Sequence, residues 1–316
     1  MKVSIIIAVY NIENYIDKCL ESIINQTFQD FECIVVDDGS IDNSSSICDH
    51  YSQKDERIKV IHKKNQGLPL ARKTGFENSS GEYLLFIDGD DWLETDMVNQ
   101  LVVTMQNENS DIVICDFFRS YEKRDDIISY AFPKRKEEKM YSFIKKPNYM
   151  NFFWNKLIKR SLFDKEYISF PEGISMCEDL FVTFKLFYFA EKISQVKKPL
   201  YHYRQNNVSA MTKNFTKEAY KSKMKVLDNL IAFLENENVI DEYSEIVNFY
   251  KIYNRLPLII IPGLRNKILW ASTYPESNKY IWQVPLRLDY KILSWLCKIG
   301  LFRVAYFMQD IKKKTI

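Results

Sequence analysis

Apolar positions along the first third of the chain follow two rhythms. Short β-branched runs at Val3 to Val9, Cys33 to Asp37, Ile58 to His62, Tyr83 to Asp88 and Asp111 to Asp116 predict strands. Between the first two, Tyr15, Ile16, Cys19, Leu20, Ile23 and Ile24 recur at helical spacing, so one face of a helix can pack on a sheet. Further helices are predicted from Asn43 to Lys54, Leu68 to Asn78 and Thr95 to Asn107, each a crossover between strands. This alternation predicts an α/β domain with a mostly parallel sheet flanked by helices. From Phe117 to Met150 charge density rises and periodicity weakens, which predicts an elaborated loop region. Glu178 to Lys192 reads as a helix and Pro199 to Arg204 as an extended piece. After Phe215, helical stretches from Lys217 to Asn238 and Glu242 to Tyr253 precede an aromatic and basic tail. An α/β domain over 1–215 and a helical region over 216–316 are therefore expected.

Composition narrows the classes. A formal net charge of +2 over 316 residues gives no basic excess, which argues against nucleic acid as a partner. The six cysteines form no pair at metal-ligand spacing and read as reduced structural thiols. The N-terminal apolar run has strand length and no small-residue cleavage site, so a signal peptide is not expected. The run from Leu256 to Leu264 contains Pro257, Pro262 and Gly263 and falls far short of the roughly 20 residues that span a bilayer. A cytoplasmic protein is expected.

Two acidic clusters carry the candidate chemistry. Phe86-Ile87-Asp88-Gly89-Asp90-Asp91-Trp92 places three carboxylates just beyond an apolar strand. Carboxylates this close repel unless a cation offsets them, and a divalent ion held by one or two carboxylates plus substrate phosphate oxygens does so. Asp88 and Asp90 form the Asp-x-Asp pair, and Asp91 is equally placed to reach the ion or its ligands. An acidic turn capping the next helix is the alternative. The second cluster, Val35-Val36-Asp37-Asp38-Gly39-Ser40, ends another strand. Ligands of open α/β sheets bind at carboxyl strand ends, so the two clusters can share a nucleotide crevice. There Asp38 can accept from a base imide N–H and Tyr10 can stack on the base. A simple turn with a helix cap also fits Asp-Asp-Gly-Ser. The first strand lacks a GxGxxG turn, which disfavours a dinucleotide.

Together with Val3-Ser4-Ile5-Ile6-Ile7-Ala8-Val9-Tyr10-Asn11, Gln26-Thr27-Phe28, Asn65-Gln66-Gly67-Leu68 and Ala71-Arg72, these motifs resemble the family 2 glycosyltransferases, inverting enzymes with the Rossmann-like GT-A fold. The resemblance implies a UDP-sugar donor, uracil recognition at Asp38, stacking at Tyr10, a basic contact from Arg72, donor contacts at Ala8, Asp88 and Gly89, and Mn2+ or Mg2+ at the Asp-x-Asp. Trp154-Asn155-Lys156-Leu157 and Met176-Cys177-Glu178-Asp179-Leu180-Phe181 resemble the acceptor region and Glu-Asp motif of bacterial polysaccharide enzymes in this family. The resemblance puts Trp154, Asn155, Lys156 and Glu178 on the acceptor side and makes Asp179 the catalytic base. An unshifted Asp, with a pKa of about 3.9, is a weak base, so late proton transfer is expected. Without the family, Glu178 and Asp179 read as an acid pair favouring a helix N-terminus.

Tyr201-His202-Tyr203-Arg204-Gln205-Asn206-Asn207-Val208-Ser209 resembles the loop that closes over the donor diphosphate, with Arg204 and Ser209 as its contacts. A guanidinium suits that place because it donates paired hydrogen bonds to phosphate. The expected reaction is transfer of a sugar to a hydroxyl of a glycan or lipid-linked glycan in capsule, exopolysaccharide or cell-wall synthesis. A sugar nucleotidyltransferase would show a glycine-rich basic loop near the N-terminus, and a noncatalytic UDP-sugar scaffold would not need Asp88, Asp90 and Asp179 together. From Tyr290 to Lys314, Ile292, Leu293, Trp295, Leu296, Ile299, Phe302, Tyr306 and Phe307 mix with Lys291, Lys298, Arg303 and Lys312-Lys313-Lys314. That mixture predicts an interfacial helix on the inner membrane face. Packing on the protein's own helices, or on a second subunit in a homo-oligomer, is the alternative.

Overall fold

The structure, a computed structural model, describes residues 2–133, 135–163, 168, 170–171, 173–174, 177–205 and 215–314. The chain forms two compact units: Met1–Ser142 with Lys146–Lys213, and Phe143–Lys145 with Asn214–Ile316. The sequence pattern had placed one boundary at 215.

In the first unit, β1 (Val3–Val9), β2 (Phe31–Asp37), β3 (Ile58–His62) and β4 (Tyr83–Asp88) alternate with α1 (Ile16–Ile24), α2 (Ser44–Lys54) and α3 (Leu68–Glu77). Then come β5 (Trp92–Leu93), α4 (Met97–Glu108), β6 (Ile112–Ser120), β7 (Asp125–Ile128), α5 (Lys136–Lys145, its last three residues counted with the second unit), α6 (Pro147–Met150), β8 (Lys156–Lys159), α7 (Glu178–Phe189) and β9 (Ile193–Arg204). Among the described residues the strands make one nine-stranded sheet of order β3-β2-β1-β4-β8-β6-β9-β5, with β7 added to β6. β1 to β4 are mutually parallel where they pair. Beyond β4 the pairing is mixed, because β8 runs antiparallel to both β4 and β6.

β1 and β2 are almost wholly buried, as continuous apolar runs in a sheet covered on both faces must be. Their register fixes the site: Ala8 pairs with Asp88 on β4, and Val9 with Asp37 on β2. Both acidic strand ends therefore flank the end of β1. α3 reaches the sheet through Ala71, buried with Ile34 and Val36, and through Gly75. A Cβ on Gly75 would stand 2.4 Å from Ile6 Cγ2 and 3.4 Å from Val36 Cγ2. That absent side chain lets α3, which carries Arg72, lie close on β1 and β2.

The expected loop region from Phe117 to Met150 is instead structured. β6 runs on to Ser120 because β9 pairs beside it as far as Arg204, across register shifts between Cys115 and Phe117. Periodicity predicted this strand only as far as Asp116, because the partner of its second half lies some 80 residues away and the shifts break the two-residue alternation.

The second unit contains α8 (Lys217–Asn236), α9 (Ser244–Tyr253), α10 (Pro257–Ile260), α11 (Lys267–Ser272), α12 (Leu288–Lys298) and α13 (Phe302–Lys314). Its core joins Leu256, Ile259 and Trp270 to Leu293, Leu296, Cys297 and Ala305. The expected single interfacial helix from Tyr290 is thus two helices, with part of its apolar set turned inward. Gly300, at φ +85°, ends α12; its N–H and that of Leu301 return to the carbonyls of Cys297 and Leu296. Among the described residues no helix is long and apolar enough to cross a membrane.

The close seat of α3 is testable. Gly75→Ala should cost about 1–3 kcal/mol by overpacking against Ile6. A lower guanidinium unfolding midpoint at unchanged slope would register it, and an unshifted midpoint would show that α3 yields without strain.

Candidate active site

The end of β1 delivers Tyr10, whose side chain is half exposed, to the rim of the sheet. The next residue, Asn11, is held at φ 51° between Ser40 and Ile41: its N–H donates to Ser40 Oγ at 3.1 Å, and its Oδ1 accepts from the Ile41 N–H at 2.9 Å. Gly39 is required there, since at φ 77° a Cβ would stand 2.9 Å from the Asn65 nitrogen. Asp38 precedes this glycine. It is buried, and its carboxylate accepts from the Gln66 N–H at 3.0 Å and the Gly67 N–H at 2.7 Å. These bonds pin the turn that opens α3.

The acidic turn closes tightly, with the Asp91 N–H on the Asp88 carbonyl at 3.0 Å. Gly89 is packed in: a Cβ would meet Ile12 Cδ1 at 2.6 Å and the Ala8 carbonyl at 3.3 Å. Asp91 is also interior, 1% exposed, with Oδ2 accepting from the Tyr201 hydroxyl at 2.7 Å and Oδ1 from the Arg204 N–H at 2.8 Å. Burial, then the charges of Asp90 and Asp88, push its carboxyl well above the usual range. Tyr201 Oη in turn accepts from the Asp88 N–H at 3.3 Å, so one phenol braces both ends of the turn. Nothing in the sequence singled out Tyr201.

Trp154, Asn155 and Lys156, expected toward an acceptor, are all buried. Trp154 stacks on Tyr201 at 4.2 Å, 12° from parallel, and so supports the acidic turn from behind. Asn155 Nδ2 donates to the Cys115 carbonyl at 3.1 Å, and Lys156 Nζ to Asn155 Oδ1 at 2.6 Å. Burial lowers the Lys156 ammonium to about 7, against a partly restoring attraction from Asp179.

The centre of the site is Arg72, expected to touch the donor but buried to 3% exposure. Its Nη2 donates to Asp88 Oδ1 at 2.8 Å; its Nη1 donates to Asp179 Oδ1 and to Glu178 Oε1, the latter at 3.3 Å. One guanidinium thus joins the end of β4 to the start of α7. Glu178 and Asp179 occupy the first turn of α7 after Cys177, a non-glycine residue at φ 66°. That strained entry turns both acids inward. Burial and the neighbouring Asp179 raise Glu178 to about 7 despite Arg72. Burial also raises Asp179, opposed by Arg72. Asp179 is therefore a stronger base than the unshifted carboxylate expected from sequence. Of the pair it is the more accessible, with 21% side-chain exposure against 8% for Glu178.

Arg204 lies on the other side of the turn. Its Nε donates to the Asp90 carbonyl at 2.6 Å, and its guanidinium lies 4.7 Å from the Trp92 ring. His202 is structural, stacked between Trp92 and Phe118 and bonded to Ser120 and Glu94. Ser209, the other expected diphosphate contact, lies outside the described residues.

Among the described residues, no three His, Cys, Asp or Glu side chains are grouped to hold a metal ion by themselves. A hard divalent ion completed by diphosphate oxygens needs fewer protein ligands. Asp88, with 27% of its side chain exposed, and Asp90 fit that requirement. Asp91 is the most enclosed of the three, and each of its oxygens already accepts from an internal donor.

The sequence model of the family described as Glycosyl transferase family 2 matches residues 4–166. A Bacillus subtilis (strain 168) protein bearing the glycosyltransferase name EpsH is 36% identical over 264 residues, covering 81% of this chain and 76% of that protein. EpsJ of the same strain, also named as a glycosyltransferase, is 31% identical over 269 residues, covering 82% and 77%. The crystal structure of S. aureus TarS 1-349 in complex with UDP-GlcNAc matches with a TM-score of 0.73 at 21% identity, over 100% of this chain and 92% of that one. That likeness identifies the first unit's sheet and the helices after it as a GT-A fold with a C-terminal helical extension.

The buried acid pair predicts a pH signature. Between pH 4.5 and about 7 the folded protein keeps a proton on Glu178 that the unfolded chain has released, so this group makes stability fall as pH rises through that window. Lys156 acts oppositely from about 7 to 10.5, where only the unfolded chain holds the proton. Glu178→Gln should flatten the fall below neutrality in urea melts taken across pH. An unchanged slope would mean that Glu178 titrates normally.

Proposed function

Because the chain belongs to glycosyl transferase family 2, we propose that it transfers a sugar from a UDP-sugar, with inversion, to a hydroxyl of a glycan or lipid-linked glycan in bacterial surface polysaccharide synthesis. The observation that carries this reading is Arg72, which brings Asp179 and Asp88 to opposite arms of one guanidinium. A base and a phosphate-side carboxylate must stand this near each other for in-line attack on a bound donor.

In this reading Tyr10 stacks on the uracil, and Asp38 serves by holding the 65–67 turn. Asp88 and Asp90 are the residues that would hold Mn2+ or Mg2+, and a bound ion there would offset charge on the departing diphosphate. Asp91 keeps the turn rigid through Tyr201. Arg204, whose Nε is engaged by Asp90, keeps further guanidinium donors for the diphosphate, and the resemblance pairs Ser209 with it in that role. The acceptor oxygen attacks the anomeric carbon from the face opposite the leaving group and loses its proton to Asp179. Arg72 fixes Oδ1 of that carboxylate, leaving Oδ2 to receive the proton. A hexosyl or N-acetylhexosaminyl donor suits the resemblance.

For the second unit we infer attachment to the inner face of the cytoplasmic membrane. Val304, Phe307, Met308 and Ile311 recur at i, i+3, i+4 and i+7 on α13, and all are exposed, Phe307 by 65%. Trp295 on α12 and Ile299 at its end extend the exposed apolar set, with Lys298 at the end of α12 and Arg303 at the start of α13 also exposed. Such a mixture suits an anionic lipid boundary.

Asp179→Asn should lower transfer by about 10²–10⁴ while UDP affinity by calorimetry stays near wild type. The wild type should hydrolyse at least one of a panel of UDP-sugars when Mn2+ is present. Loss of UDP binding in the variant would move Asp179 to the donor side, and inertness toward every UDP-sugar would remove the transferase reading.

Full-length protein should float with anionic liposomes at low salt, and Phe307→Asp with Met308→Asp should abolish flotation. A wild type that ignores the vesicles but sediments as a dimer would assign the exposed face of α13 to a second subunit.

A further inference from the structure

Past Trp92 the acidic turn opens on a cleft of about 430 Å³. Its walls are Lys18 of α1, Trp92 of β5, Arg204 at the end of β9, and Tyr121, Lys123 and Arg124 in the turn between β6 and β7. Glu122 and Asp125 also line it, leaving basic groups in excess by four to two. The cleft falls within the size range of small-ligand sites.

Two of these cations crowd one aromatic ring. Lys18 Nζ stands 3.3 Å from the Trp92 centroid and the Arg204 guanidinium 4.7 Å from it. His202 is stacked 4.7 Å from the same ring, 13° from parallel, and fills its other face. The Lys18 ammonium is lowered by burial and then by repulsion from Arg204, which Asp125 only partly offsets. Arg124, across the cleft lining, lies over Tyr121 at 5.0 Å and pairs with Asp126 at 3.4 Å, in a turn closed by the Tyr121 N–H on the Arg124 carbonyl. An anion entering here would gain charge-assisted hydrogen bonds and relieve the repulsion at Trp92.

We propose that this cleft binds an anionic group of the acceptor, a phosphodiester or a uronate carboxylate on the chain being extended, through Lys18, Lys123 and Arg124, with Arg204 shared between it and the donor. The proposal rests on the transferase reading. Strand order separates the cleft from the nucleotide side: Tyr10 and Asp38 follow β1 and β2, whereas the basic turn leaves β6, three places along the sheet from β1. The Asp88 to Asp91 turn lies between them and touches the cleft through the Arg204 bond to Asp90. An acceptor anchored here would thus approach the turn from the side away from Tyr10 and Asp38.

Calorimetry on the full chain with a synthetic glycerol-phosphate oligomer, an oligogalacturonate and neutral maltohexaose tests the site. One acidic oligomer should bind roughly tenfold or more tighter than maltohexaose, with the advantage shrinking as salt rises. The acidic oligomer that wins identifies phosphate or carboxylate as the group recognised. Lys123→Glu with Arg124→Glu should erase the preference while acceptor-free UDP-sugar hydrolysis changes by less than twofold; Lys123→Ala with Arg124→Ala, checked for an unchanged melting temperature, guards against misfolding. Equal binding of acidic and neutral oligomers, or wild-type binding by the variants, would overturn the proposal. So would displacement of the oligomer by UDP, which would give the cleft to the donor. Failure of UDP-sugar hydrolysis in the wild type would instead strike the transferase reading, and the oligomer titrations would still judge the cleft.

Discussion

A single buried guanidinium holds the first unit's chemistry together. Arg72 comes from the third helix, Asp88 from the end of the fourth strand, and Glu178 and Asp179 from the start of the seventh helix. Burying any one of these charges alone would cost several kcal/mol, so each element's position is conditional on the others. Three carboxylates around one cation also leave excess negative charge. Burial first, and then the mutual repulsion of the acids, raises Glu178 and Asp179 against the pull of Arg72. Structure and catalysis here draw on the same imbalance.

The parts legible in the sequence are those whose causes are local. The strands β1 to β4 announce themselves as apolar runs because both faces of that sheet are covered, and the Asp-Gly-Asp-Asp turn stands out because its charges adjoin a strand. What single residues do at the site depends on partners far along the chain. Arg72 lies 107 residues from Asp179, and nothing near Arg72 says that it will be buried among acids instead of facing a phosphate. The structural bonds of Asp38 were hidden for a related reason: its backbone partners at Gln66 and Gly67 arrive only when the sheet assembles. Trp154, which the resemblance put on the acceptor side, lies flat on Tyr201, whose hydroxyl is the hidden brace of the acidic turn.

The helical unit shows the same limit in hydrophobic patterning. An amphipathic tail reads alike whether its apolar face meets lipid, a second subunit or its own neighbours. Here the pattern serves two masters, because Leu293, Leu296, Cys297 and Ala305 enter the core while Phe307 and Ile311 stay outside. Gly300 makes this division workable: its left-handed backbone lets the chain turn between two helices that one continuous rod would have kept in line.

The arrangement also separates what must be fixed from what can change. Arg72, Asp88, Asp91 and Tyr201 are locked in mutual contacts within the folded unit, so altering one leaves an unmatched buried group and costs stability as well as activity. The turn from Tyr121 to Asp125 is exposed along its whole length and supports little else. Substitutions at such positions commonly alter stability by about 0.5 kcal/mol or less. If acceptor charge is read there, acceptor choice can be rewritten by exchanging surface residues while the base, the acidic turn and their shared guanidinium stay in place. A fold built this way can keep one reaction and change the chain it extends.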